Sequence, residues 1–245
     1  MPSVESYAEQ HPHLFADWDY PAVLADLLRS SSGTVLELGS GDGSKLHSLQ
    51  KAGLLDHFDE VIATDLSSLR IATLSSRLPG VRALVADAMA LPFDDGSIDV
   101  VLSDQVIEHV EDDSAMASEI WRVLRPGGRA YIASVMRLPG GWYFYRNNGG
   151  WRIDPTHMRE YESSDAFRHL FESAGFSVAA LETWPISFAL TDFLIHFARR
   201  VGLVSRRDAV DLYTTSSTLA SLRRFGLAIP RYKTIGVVVQ KATAA

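Results

Sequence analysis

Val35-Leu36-Glu37-Leu38-Gly39-Ser40-Gly41-Asp42-Gly43-Ser44 decides the fold: a short apolar run, an acid two residues before a glycine turn, and a helix start near Ser44. Strand, turn and helix in that order allow backbone to approach a ligand closely. The helix N-terminus behind the glycines offers free N–H groups and partial positive charge, which suit a phosphate or a carboxylate. The spacing is G-x-G-x-G, whereas the dinucleotide fingerprint has its third glycine one position later, which disfavours NAD and FAD.

Working outward, strand-like and helix-like patterns alternate, the sign of a parallel sheet covered by helices on both faces. Pro21–Leu28 reads as a helix with proline where a missing N–H does no harm. Val61–Thr64 is a strand ending at Asp65, followed by a helix over Leu66–Leu78 that closes at Pro79-Gly80. Arg82–Ala86 and Ile98–Leu102 are further strands, the first ending at Asp87. A helix over Ser114–Leu124 stops before Pro126-Gly127-Gly128, and Arg129–Val135 follows as the fifth strand. Ser163 or Ser164 caps a helix carrying Phe167, Leu170 and Phe171, and Ser177–Thr183 and Thr234–Gln240 complete seven strands. The expectation is one α/β domain over residues 1–245, with two departures from plain alternation. The first is an acceptor-side loop at 136–162, dense in aromatics. The second is a basic insertion at 185–231 with helical spacing in Phe188, Phe193, Leu194 and Phe197.

Composition narrows the classes. With 47% hydrophobic and 22% charged residues, the 245-residue chain has ordinary globular usage. The absence of cysteine removes disulfides, thiolate metal sites and a thiol nucleophile. A net charge of -7 argues against general nucleic-acid affinity. Residues 182–233 carry eight Lys/Arg against four Asp/Glu, so the remainder is the more acidic part. Met1–Tyr20 lacks the basic start and apolar run of a signal peptide, and the most apolar stretch, Trp184–Phe197, is broken by Pro185, Asp192 and His196. A cytoplasmic location is expected.

Asp65 stands 22 residues after Gly43 at a strand end, where a carboxylate can accept hydrogen bonds from both ribose hydroxyls. Glu37 separates the adenosine cofactors: a second carboxylate beside the turn repels a pyrophosphate but holds an ammonium. S-adenosylmethionine has an ammonium and no phosphate. With Val35–Gly43, Val61–Asp65, Ala86-Asp87-Ala88, Leu91-Pro92-Phe93, Ile98–Val110 and Leu124–Gly128 in that order, the chain resembles the class I S-adenosylmethionine-dependent methyltransferases over residues 30–183 and the final strand. The resemblance implies a Rossmann-like three-layer sandwich, its seven-stranded sheet mostly parallel with an antiparallel last strand.

It also implies that Gly39, Gly41 and Gly43 lie under the methionine end, ordered by Glu37. Asp65 is to hold the ribose and Leu66 to lie against the adenine. Asp87 and the N–H of Ala88 are to meet the adenine edge. Ser103, Asp104 and Gln105 are to line the methionine and the transferring methyl, with His109 at the rim. The reaction implied is methylation of a small-molecule acceptor, preferably a hydroxyl of a sugar-containing compound or natural product; N- or C-methylation of a metabolite or lipid is the alternative.

A hydroxyl acceptor must lose its proton to a base within hydrogen-bond reach. His157, in Asp154-Pro155-Thr156-His157 after the fifth strand, is the candidate, with Asp104 and Glu108 as substitutes. Asp104, Glu108, Asp154 and His157 could supply metal ligands, but no spacing requires a metal and none is expected. The basic insertion admits three readings: a lid on the site, a homodimer contact, or peripheral contact with anionic lipid or a phosphate-bearing acceptor through the pairs Arg199-Arg200, Arg206-Arg207 and Arg223-Arg224. Ser103-Asp104-Gln105-Val106 lacks the Asn/Asp-Pro-Pro-aromatic run of base-methylating enzymes, so a nucleic-acid partner is not expected. A cofactor-binding scaffold without turnover is the remaining alternative.

Overall fold

The computed structural model describes residues 5, 8, 18–142, 145–147, 150–189 and 226–243. Strands β1 (Gly33–Leu38), β2 (Phe58–Asp65), β3 (Arg82–Val85), β4 (Ile98–Asp104), β5 (Leu124–Arg137), β8 (Phe176–Ala189) and β9 (Gly226–Lys241) form one sheet in the order β3-β2-β1-β4-β5-β9-β8. The first five are parallel, and β9 runs antiparallel to both its neighbours. A small hairpin, β6 (Tyr145–Asn147) with β7 (Gly150–Arg152), stands apart.

The period of two along β1 explains both faces. Leu36 and Leu38 face α4 (Asp113–Val123) and α5 (Ser164–Ser173), joining Met116, Ile120, Phe167 and Phe171 in one core cluster. Val35 turns the other way, toward Leu24, Leu28, Leu46, Leu49 and Leu74 of α1 (Ala22–Arg29), α2 (Ser44–Lys51) and α3 (Ser68–Arg77). Glu37 shares that second face, so a carboxylate is carried into an apolar layer at the strand end. Caps set where three helices start: Ser67 Oγ accepts from Arg70 N, Asp112 from Ser114 N and Ala115 N, and Ser163 from Ala166 N. Each such cap contributes about 1 kcal/mol.

Chain order reverses between β1 and β4, and the crevice outside those carboxyl ends is where ligands bind in open sheets. Leu38 lies level with Thr64 of β2 and Ser103 of β4, so the glycine turn, Asp65 and Asp104 emerge together.

Several expectations need correction. β5 begins at Leu124, because Arg125–Gly128 form an irregularity between the Ile98–Leu124 and Val100–Arg129 pairs. The loop at 136–162 contains the β6–β7 hairpin. The arms of the basic insertion are strands: Phe188 is level with Leu227 and Ala189 with Gly226, so Phe188 does not share a helical face. The register shift between Pro185 and Ser187 lets the ladder continue past the proline. Phe193, Leu194, Phe197 and the arginine pairs lie outside the described residues, as do the lid, dimer and lipid readings that depend on them. Among the described residues, no helix is long and apolar enough to cross a membrane.

Candidate active site

The turn after β1 is left-handed at Gly39, Gly41 and Gly43, with φ of 64°, 55° and 84°. At Gly39 a Cβ would fall 2.3 Å from Val106 Cγ2, so no larger residue fits. Asp65 ties this turn to the next strand end: its Oδ2 accepts from Gly41 N at 2.9 Å and its Oδ1 from Ser67 N at 2.9 Å. A carboxylate has about four acceptor positions, so these two bonds leave capacity for further donors.

Glu37 is buried, and its Oε2 has no hydrogen-bond partner among the described residues. Burial pushes the carboxyl up to about 7, against the attraction of Lys45. Lys45 Nζ lies 2.5 Å from Asp104 Oδ2 and donates to the Asp104 carbonyl at 2.7 Å. The sequence reading missed this lysine. A lysine in the first turn of a helix opposes the helix dipole, so its presence was a signal that an acid faces it. Trp18 covers this end, with Lys45 Nζ 5.5 Å from its ring centroid and its own N–H donating to Ser48 Oγ at 2.8 Å.

Trp18, Glu37, Ser103, Asp104 and Tyr131 line a small cavity. Ser103 Oγ and the Tyr131 hydroxyl are also buried there with no hydrogen-bond partner among the described residues. Unpaired buried polar atoms are rare because each costs about 1–3 kcal/mol. An ammonium with three N–H donors fits the Glu37 carboxylate, so these residues fit the methionine end of S-adenosylmethionine. Gln105, next along, is a non-glycine residue at φ 62°, and such strain gathers at binding crevices.

The ends of β2 and β3 are apolar and open. Leu66 and Val85 are each 52% exposed at the ends of β2 and β3, and a planar ring laid there would cover both. Asp87 Oδ1 accepts from Met89 N at 2.8 Å, while Ala88 is partly buried against the core. Glu5 reaches the same edge, accepting from Ser67 Oγ at 2.7 Å and from Ser68 N at 2.8 Å, which holds its carboxyl below the usual range.

A second group of side chains forms where the loop after β4 meets residues 154–161. Arg159 staples that loop: Nη1 donates to the carbonyls of Ile107 at 2.9 Å and Val110 at 2.6 Å, and Nη2 to that of Glu111 at 2.5 Å. Met158 N donates to the Glu108 carbonyl at 2.8 Å. The rings of His109 and His157 consequently stack edge to face with centroids 4.7 Å apart. His157 is buried, with Nδ1 3.1 Å from Glu160 Oε1; His109 Nδ1 is 3.0 Å from Thr156 Oγ1. Burial, aided by His157, pushes the His109 imidazole down to about 4. Burial also pushes the Glu108 carboxyl up to about 7, while Ser134 Oγ donates to its Oε2 at 2.8 Å. Asp104 acts electrostatically on both Glu37 and Glu108, so it stands between the two groups.

Residues 36–132 match the methyltransferase domain family. A probable S-adenosylmethionine-dependent methyltransferase of Mycolicibacterium smegmatis is 33% identical over 151 residues, 61% of this chain and 54% of that protein. A methyltransferase-like protein of Schizosaccharomyces pombe is 30% identical over 195 residues, 78% of this chain and 71% of its own length. The solved YcgJ protein of Bacillus subtilis shares the fold with a TM-score of 0.62 at 18% identity, covering 91% of this chain and 97% of that one. The chain belongs to the class I S-adenosylmethionine-dependent methyltransferases. It spans about half the length of several curated relatives that it matches.

Proposed function

We propose that this chain transfers a methyl group from S-adenosylmethionine to an oxygen of a small-molecule acceptor, a sugar-containing or natural-product hydroxyl being preferred. The observation that carries the cofactor is the buried Glu37 carboxylate, whose Oε2 has no hydrogen-bond partner among the described residues, beside a turn that tolerates only glycine at Gly39. S-adenosylmethionine supplies, when bound, a methyl group on a sulfonium that leaves readily. Glu37 holds the ammonium, with Lys45 opposite for the carboxylate and Asp104 keeping Lys45 in place. Asp65 and Asp87 take the ribose and the adenine edge, and Leu66 lies under the ring. Alignment of the acceptor and exclusion of water are the protein's main tasks in such a displacement.

The acceptor enters on the side of His109, His157 and the β6–β7 hairpin. Proton removal falls to His157: Glu160 accepts from its Nδ1 and leaves Nε2 as the nitrogen with a lone pair. Asp104 is the second candidate. Trp142 and Trp151, 6.4 Å apart between centroids, offer aromatic faces to a sugar or a planar ring.

Thermal unfolding with S-adenosylmethionine, its demethylated product and NAD tests the cofactor. At about 100 times the dissociation constant the first two should each add about 2.7 kcal/mol and NAD nothing; no shift with any of them sinks the reading. Methyl transfer to a panel of sugar and phenolic acceptors is then compared for wild type, His157→Ala and Asp104→Asn. Turnover within a few-fold of wild type in His157→Ala removes that residue as the base.

A further inference from the structure

We propose that Glu108, His109 and His157 form a binding site for one divalent first-row cation of the zinc type. Their ligand atoms all lie within 4.8 Å of one another, although His157 is far from the other two in sequence. The hydrogen bonds around them assign the acceptor atom on each. Thr156 Oγ1 donates its only proton to Asp154 Oδ1 at 2.5 Å, so it accepts from His109 Nδ1, and the lone pair of His109 is on Nε2. Glu160 Oε1 accepts from His157 Nδ1, which puts that lone pair on Nε2 as well. Ser134 occupies Glu108 Oε2, and among the described residues Oε1 of this wholly buried carboxylate has no hydrogen-bond partner.

Each of the three residues therefore offers one acceptor atom, and its other polar atom is held by a hydrogen-bonding neighbour. Metal sites use this pattern to fix imidazole tautomer and orientation. Two imidazoles and one carboxylate suit zinc, iron(II), cobalt(II) or nickel rather than magnesium or calcium, which favour all-oxygen sets. Bonds of about 2.0–2.1 Å require the ligand atoms to close to about 3.3 Å of one another, a contraction of order 1 Å. His109 is the partly exposed member and supplies the route of entry.

The site does not depend on methyl transfer. If the reading given above holds, a bound cation takes the Nε2 lone pair, so His157 no longer removes the proton in that form, and the positive charge beside the acceptor hydroxyl instead favours its ionised form.

The test is titration of the chelator-treated full chain with Co2+, followed by visible absorbance and by displacement with Zn2+. About one equivalent should bind, and His109→Ala and His157→Ala should each weaken binding at least tenfold. Thermal unfolding without ligand checks that each variant is folded, and the partly exposed His109 gives the deciding variant should His157→Ala unfold. No absorbance band, or equal affinity in wild type and His109→Ala, overturns the site. One-equivalent binding with methyl transfer indifferent to chelator upholds the site and removes only the cation's part in proton removal. Failure to bind S-adenosylmethionine is read separately and concerns the cofactor alone.

Discussion

At the β1–β2 end of the crevice, each binding group sits within a few residues of a strand terminus: Glu37 and the glycines follow from β1, Asp65 and Leu66 from β2, Ser103 and Asp104 from β4. At the other end, His109, Thr156, His157 and Glu160 are brought together by contacts that join residues 47 to 52 positions apart. The first region is positioned by the sheet itself. The second is positioned by loops stapled to each other. A perturbation of the sheet end should therefore act on cofactor binding, and one of the staple on acceptor chemistry.

Gly39→Val breaks the first region most. The added side chain meets Val106 at a position already left-handed, which costs about 1–3 kcal/mol in backbone strain before the clash is counted. Cofactor-induced thermal stabilisation should vanish; its persistence would show that the turn is not where the cofactor lies.

Glu37→Gln comes next. The Glu37 carboxyl is raised to about 7 from an ordinary 4.5, so between those values the folded chain binds more protons than the unfolded one. Stability contributed at this site is therefore present at low pH and lost as pH rises from about 5 to 7, by roughly 3 kcal/mol in all. The difference between wild type and variant should carry this slope, with the variant the more stable at pH 8 yet at least tenfold weaker for cofactor. Identical pH profiles would remove Glu37 as the buried acid. In the wild type, cofactor affinity should rise toward pH 7, because an ammonium needs the ionised carboxylate.

Arg159→Ala releases three carbonyls and should cost about 2 kcal/mol. Cofactor affinity should stay within a few-fold while turnover falls at least tenfold. Equal losses in both would mean that the two regions are one unit. The smallest change in stability, within about 0.5 kcal/mol, belongs to Trp142→Ala, whose ring is 63% exposed. A rise in KM for the acceptor without a change in kcat would assign the ring to binding; unchanged kinetics would exclude it.

The same contrast explains what could be read from the chain. Strand, glycine turn and helix are local, and periodicity with punctuation located β1 to β4 and the helices around them to within a few residues, whereas β5 begins at Leu124 and not at Arg129. The role of Lys45 depends on Asp104, 59 positions away, so its partner is not legible locally. The pairing of His109 with His157 has no local signature at all. The β6–β7 hairpin did have one, since Asn148-Gly149 is a strong hairpin signal. It was hidden by strands of only three residues. The arms of the insertion show the ambiguity of short apolar runs, for which periods of 2 and 3.6 are hard to tell apart.

The two arms, β8 and β9, meet in register at Ala189 and Gly226. Cross-strand neighbours lie about 5 Å apart, so the chain leaves the sheet after Ala189 and returns to it at Gly226 through one narrow doorway. The sheet therefore sets only where that excursion begins and ends: a two-residue turn joining Ala189 to Gly226 would close β8 onto β9 with the register of the ladder unchanged.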